Sequence, residues 1–169
     1  NFTASAIPYM QSMQKNRATL FLICGLPGSG KTTLARQLEA SHQALRLSPD
    51  EWIAEILADT TDSAELDRLR SPIESIQWDI AKRALVLGVN VILEWGFWSQ
   101  AERIQYRTEA EALGAHVELS YLNVGLNKLW DRLWRRNANL PPGAFIVTKK
   151  NLKVWAKSFE PPTEEELGQ

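Results

Sequence analysis

Eight consecutive residues, Gly25-Leu26-Pro27-Gly28-Ser29-Gly30-Lys31-Thr32, constrain this chain more than any other stretch. They carry the spacing G-x-x-x-x-G-K-[ST], which arises by accident in well under roughly 1% of chains of this length at average residue usage. The chemistry explains the spacing. Glycines permit backbone conformations that a side chain would block, so successive N–H groups turn inward around an anion. The Lys31 ammonium then neutralises β and γ phosphates, and the Thr32 hydroxyl is suited to ligate magnesium. Pro27 and Ser29 complete the loop, and Thr33, one residue further, is a weaker contact in the first helical turn. Such a loop needs a strand before it and a helix after it. Leu20-Phe21-Leu22-Ile23-Cys24 supplies the strand, and Leu34 and Leu38 give the following segment an apolar side. That helix directs its positive end at the phosphates.

The same alternation continues along the chain. Three more β-rich runs, Ala44 to Leu47, Asn90 to Trp95 and His116 to Leu122, are separated by helical patterning. Ile73, Ile76, Ile80, Ala84 and Leu87 are spaced to form one apolar helical stripe. Ser48-Pro49-Asp50-Glu51, Ser71-Pro72-Ile73-Glu74 and Ser99-Gln100-Ala101-Glu102 read as capping boxes that start helices. Gly88 and Gly114 sit where a left-handed residue ends a helix before the next strand. Strands alternating with helices predict an α/β fold, a parallel sheet covered by helices on both faces. A length of 169 residues fits one domain. Residues 1–18 are read as an N-terminal extension, about 126–148 as a lid region, and 160–169 as an acidic tail running over the surface.

Composition excludes several classes. At 44% hydrophobic and 23% charged residues the chain can build a core, so disorder is not expected. No apolar run approaches the about 20 residues of a membrane helix, and Asn1 to Gln14 lacks the pattern of a signal peptide. The lone cysteine, Cys24, ends the first strand and is expected to be a buried thiol; with no internal disulfide, a cytoplasmic setting is expected. The net charge of −1 gives no nucleic-acid footprint, but it hides an acidic stretch from Asp50 to Asp79 and a basic one from Lys128 to Lys157. His42 and His116 show no ligand spacing for zinc.

Beyond the loop, the chain resembles the small P-loop kinases grouped with zeta toxins, the kinase domain of polynucleotide kinase, and chloramphenicol phosphotransferase. The resemblance covers roughly Thr19 to Glu166 and rests on Gly25 to Thr33, Leu47-Ser48-Pro49-Asp50, Val91-Ile92-Leu93-Glu94-Trp95-Gly96-Phe97-Trp98, Glu102-Arg103, Leu133-Trp134-Arg135-Arg136-Asn137 and Phe159-Glu160-Pro161-Pro162. It implies a P-loop NTPase three-layer sandwich with strand order 2-3-1-4 and a small helical lid. Asp50, just past the second strand, lies where ligands of doubly wound sheets bind and matches the aspartate that accepts the proton of an attacking hydroxyl. Its other reading is a carboxylate favouring the helix dipole.

Glu94 closes an apolar strand with a charge that needs a partner. The related kinases carry aspartate there; glutamate is one methylene longer, so Glu94 is read as reaching magnesium through water. Lid arginines of such kinases stabilise the transferring phosphoryl group. Arg136 is the first candidate here, then Arg132, with Arg135 a further nucleotide contact. The Asn137 to Gly143 segment reads as a mobile lid loop. Trp95, Phe97 and Trp98 fall near the expected acceptor site, with Trp98 the candidate to stack on substrate; Trp78, Trp130 and Trp155 read as core or half-buried anchors. Arg103 either binds an acceptor phosphate or pairs with a helix neighbour.

Together these residues predict an ATP- and Mg2+-dependent kinase acting on a hydroxyl of a small molecule. A polynucleotide 5′-kinase, a zeta-type nucleotide-sugar kinase and an antibiotic-resistance kinase stay open. So does a nucleotide-binding regulator or ATPase with no dedicated acceptor. A nucleic-acid partner is admitted but not favoured, and no membrane is expected.

Overall fold

The computed structural model describes residues 17–57, 63–141 and 144–168. Four parallel strands form one sheet in the order β2-β3-β1-β4. They are β1 (Thr19–Cys24), β2 (Leu45–Leu47), β3 (Val91–Gly96) and β4 (His116–Tyr121). The predicted α/β class, parallel sheet and strand order are those observed. Central β1 and β3 are buried on both faces, as near-continuous apolar runs require when helices cover both sides.

Alternation along β1 divides the core. Leu20, Leu22 and Cys24 pack with Val91, Leu93, Trp95, Trp78, Ala81 and Ala110 on one face. Phe21, Ile23 and Ile92 pack with Ala35 on the other, backed by Leu34 and Leu38. The second face therefore belongs to α1 (Lys31–His42). The first belongs to α3 (Ser63–Val86) and α4 (Gln100–Ala112). Between β2 and α3 runs α2 (Pro49–Ile56). After β4 come α5 (Leu126–Ala138), α6 (Lys149–Ser158) and the short α7 (Glu164–Leu167). A smaller cluster of Leu129, Leu133, Val147 and Leu152 joins α5 to α6.

Several local expectations are corrected. Ser71-Pro72 does not start a helix: α3 begins at Ser63 and carries Pro72 in its interior. Proline there removes one backbone hydrogen bond, tolerable at an exposed position. The buried stripe of α3 is Ile73, Gln77, Trp78, Ala81, Ala84 and Leu85, whereas Ile76 and Leu87 are 53% and 76% exposed. Both stripes share Ile73 and Ala84; a three-residue step in place of four turned the predicted one away from the sheet. Ser48 is the N-cap of α2 but its side chain makes no capping bond, and the Glu51 carboxylate, which would complete the box on the Ser48 N–H, instead accepts from Arg46. Ser99 does accept from the Glu102 N–H, while the Glu102 carboxylate takes the N–H of Trp98. Gly88 and Gly114 have φ of 84° and 83°, as the helix-end reading requires.

The acidic tail is not a loose surface extension. Glu166 is buried, and α7 opens with a complete capping box between Thr163 and Glu166. The extension at 1–16 and the lid residues Pro142 and Gly143 lie outside the described residues. Among the described residues, no helix is long and apolar enough to cross a membrane.

Candidate phosphate and acceptor site

The carboxyl ends of β1, β2 and β3 meet at one edge of the sheet, and the loop from Gly25 to Gly30 leaves β1 there. Gly25 donates its N–H to the Gly96 carbonyl at 3.0 Å, tying the loop to the end of β3. Two glycines are required by space as well as by backbone conformation. At Gly25 (φ +154°) a Cβ would lie 2.8 Å from the Ser29 hydroxyl and 3.2 Å from the Leu122 carbonyl; at Gly28 (φ +82°) it would lie 2.9 Å from Leu133 of α5. Gly30, at φ 107°, is the N-cap of α1. From Gly30 to Thr33 no N–H has a backbone partner among the described residues; the first in α1 to find one is Leu34, bonded to the Gly30 carbonyl at 3.1 Å. Unpaired donors at a helix start make an anion site.

Lys31 bends back into the loop, its Nζ donating to the carbonyls of Gly25 (3.0 Å) and Leu26 (3.2 Å). Burial pushes its pKa down to about 8, with Asp50 and then Glu94 holding it up. Its charge is thus poorly compensated by the protein, which favours an anionic ligand. Thr32 and Thr33 are exposed at the loop's exit. The Thr32 hydroxyl donates to Oε1 of Glu94. Oε2 of Glu94 accepts from Arg46 Nη1 at 3.0 Å. Burial raises the pKa of Glu94, against the Thr32 hydrogen bond and Arg46.

The arginines divide. Arg132 donates to the Gly28 and Ser29 carbonyls at 3.3 and 3.2 Å, clasping the loop from α5. Arg136 donates from Nη2 to the Phe145 carbonyl at 2.9 Å, but its Nε is buried without a partner among the described residues. Burial lowers its pKa, and Asp50 opposes the shift. Arg135 is exposed. The segment after α5 is pinned where Asn137 exchanges hydrogen bonds with the Val147 backbone, at 2.8 and 3.3 Å.

Asp50 stands in the first turn of α2, half-exposed, and its Oδ1 accepts from Arg70 Nη2 at 2.6 Å. Arg70 Nη1 lies 3.7 Å from Glu74, whose pKa burial pushes up to about 7 against the attraction of Arg70. The charge of Asp50 raises the pKa of both Lys31 and Arg136, against the burial that lowers them.

Other expected residues lie elsewhere. Arg103 is 2% exposed and donates to Glu166 (2.7 and 3.3 Å) and to the carbonyls of Phe97 (3.0 Å) and Glu160 (2.9 Å). Those contacts leave it no free face, so the acceptor-phosphate expectation for Arg103 is corrected to a structural ion pair. Trp95 and Phe97 are buried in the core and cannot stack on a ligand. Trp98 is half-buried, 5.7 Å from Trp155 between ring centres, and its carbonyl accepts from Glu160 N–H at 2.9 Å. The Cys24 thiol is buried, donates to the Phe97 carbonyl at 3.2 Å, and has its pKa pushed up by burial to about 11. Sequence reasoning missed Arg46 and Arg70. The signals were a lone charge inside Leu45-Arg46-Leu47 and one of two bases in a stretch with nine acids.

The fold recurs in known proteins. Among solved structures, Kti12 from Chaetomium thermophilum, in complex with ADP-AlF3, is 21% identical (TM-score 0.64), with 86% of this chain and 82% of that one covered. A chain of the Pnkp1/Rnl/Hen1 RNA repair complex is 18% identical (TM-score 0.62), covering 88% of this chain and 46% of its own. A gluconokinase from Sinorhizobium meliloti 1021 is 15% identical (TM-score 0.58), covering 90% and 80%. These identities establish shared fold alone. No curated protein sequence matches. The family model described as AAA domain matches residues 20–162, from the strand before the phosphate loop to the segment that locks Arg103. The chain belongs to this AAA domain family and has its P-loop, nucleotide-binding α/β fold.

Proposed function

We propose that the chain is an ATP- and magnesium-dependent phosphotransferase that moves the γ phosphate to a hydroxyl of a small molecule. One observation carries this reading: Asp50 stands in the first turn of α2, just past the carboxyl end of β2, at the edge of the sheet where the phosphate loop leaves β1. A carboxylate beside a phosphate-binding lysine is placed to take a proton from an attacking hydroxyl. One protein of similar fold is a gluconokinase.

In this reading Gly25, Pro27, Gly28, Ser29 and Gly30 with the N–H groups of Lys31, Thr32 and Thr33 cradle the phosphates. Lys31 leaves the Gly25 and Leu26 carbonyls for the phosphate oxygens. Arg136 brings a buried N–H with no partner among the described residues, a donor suited to the transferring group. Arg132 holds the loop, with Arg135 at the rim. The acceptor lies beside Asp50, towards Trp98. Arg70 must release Asp50 for the carboxylate to act as base.

Magnesium fits the donors present. Thr32 supplies one hard oxygen and Glu94 a carboxylate in contact with it. Among the described residues no cluster of three or more histidine, cysteine or acidic side chains could hold an ion. Magnesium usually keeps several waters and takes remaining ligands from substrate phosphates. When bound, it would neutralise charge developing on the phosphates.

A second reading is favoured by the Arg70–Asp50 pair, which occupies the base: a nucleotide-binding regulator or ATPase with no acceptor. An acceptor screen with γ-labelled ATP over sugars, nucleosides, nucleotide sugars, oligonucleotides and antibiotics separates the two. Transfer of label to one class is expected. Turnover in water alone, unchanged by every hydroxyl compound, would overturn the kinase reading.

A further inference from the structure

Arg46 belongs to no part of the phosphate loop, yet it holds the carboxylate that touches the loop threonine. It is the charged centre of the three-residue edge strand β2, and its side chain is 12% exposed. Nε donates to Glu39 of α1 at 3.2 Å, Nη1 to Glu94 of β3 at 3.0 Å, and Nη2 to both oxygens of Glu51 of α2 at 3.0 and 2.9 Å. The three carboxylates are not alike. Glu39 and Glu51 have side chains 44% and 36% exposed, whereas that of Glu94 is 6% exposed. Pairing with Arg46 meets the need of the buried Glu94 charge, but a stability role alone does not set where its other oxygen points. That oxygen accepts from Thr32.

We propose that Arg46 is a positioning residue that sets the magnesium response of the phosphate loop, by holding one oxygen of Glu94 so that the other faces Thr32. The inference rests on the reading of Thr32 and Glu94 as the magnesium side of the site. A carboxylate with both oxygens free would rotate about its last bond; fixing Oε2 on a guanidinium fixes the direction of Oε1. A planar fork of donors suits this task, and a lysine, with three rotatable donors on one atom, cannot reproduce the four fixed hydrogen bonds of Arg46. Through Glu51 the same guanidinium also steadies the first turn of α2, one residue from Asp50. One side chain therefore ties the metal side of the site to the acceptor side.

Fluorescence titration of the whole chain with mant-ATP, in EDTA and in magnesium, tests this, with thermal melts to confirm folding. The wild type should bind more tightly in magnesium. Arg46→Lys should lose about tenfold or more of that gain, the usual effect of removing a partner that orients a metal ligand, while metal-free affinity stays within about twofold of wild type. Glu94→Gln should lose a similar share, and the double variant no more than the larger single loss, since the two act as one unit. Arg46→Lys that folds and keeps the gain within twofold, or additive losses in the double variant, overturns the inference alone. If Arg46→Lys does not fold, Arg46→Gln decides by the same titration: a retained gain overturns the inference and a lost one supports it. A wild type that binds equally with and without magnesium overturns the reading of the site and this inference with it.

Discussion

The phosphate loop is tied to Gly96 at the end of β3 and the Arg103–Glu166 latch to Phe97, the next residue, yet the two treat their polar groups in opposite ways. At the latch the groups are paired inside the fold: Arg103 donates to Glu166 and two backbone carbonyls, and Glu166 caps α7 with Thr163. At the loop they are left over. Among the described residues Ser29 Oγ and Arg136 Nε are buried without partners, as is Gln77 Nε2 in the core, and Lys31 rests on its own loop carbonyls. Unpaired buried donors cost stability, and at the loop they are open to pairing by a ligand. The comparison separates residues kept for stability from residues kept for chemistry, although both sets are charged and inward-facing.

Four substitutions or titrations can break that separation. The largest effect is expected from Lys31→Ala, which should abolish nucleotide binding and turnover while the melting temperature does not fall; calorimetric ATP titration beside a thermal melt checks both. Retained binding would remove the loop from the functional set. Asp50→Asn should keep ATP binding but slow label transfer by about 10² to 10⁴. Loss of only a few-fold would make Asp50 a structural partner of Arg70. Glu166→Gln should show the converse pattern. Leaving the buried Arg103 uncompensated should cost about 3 kcal/mol or more in denaturant unfolding, with mant-ATP affinity of the folded fraction within about twofold of wild type.

The smallest effect is a pH window. Hydrogen bonding and attraction from Arg103 hold the Glu166 pKa down at about 2, against an ordinary value of 4.5. The folded state therefore binds this proton less readily than the unfolded chain. The stabilisation is full above about pH 4.5 and is lost as pH falls towards 2. Urea midpoints between these values should fall less steeply for Glu166→Gln than for wild type.

Much of the frame was legible because its causes are local. Gly25 to Thr32 prescribes a strand, a turn and a helix start by backbone sterics alone, and the alternation of apolar runs with helical segments gave the parallel sheet. The capping signal at Ser71-Pro72 misled because a helix already under way from Ser63 carried the chain through the proline. The roles of Arg103 and Arg46 were not legible. Their partners lie far along the chain, with Glu166 63 residues from Arg103 and Glu94 48 residues from Arg46, and no periodicity links such positions.

By itself, then, the sequence determined that this chain carries a phosphate loop between a buried strand and a helix, because glycine spacing and the lysine-threonine pair act within one turn of backbone. Only the tertiary structure decided which charges serve it. Pairing of an arginine with a distant carboxylate depends on strand order and on which helix covers which face. Those contacts placed Glu94 on Thr32, put Arg46 behind it and withdrew Arg103 into the core.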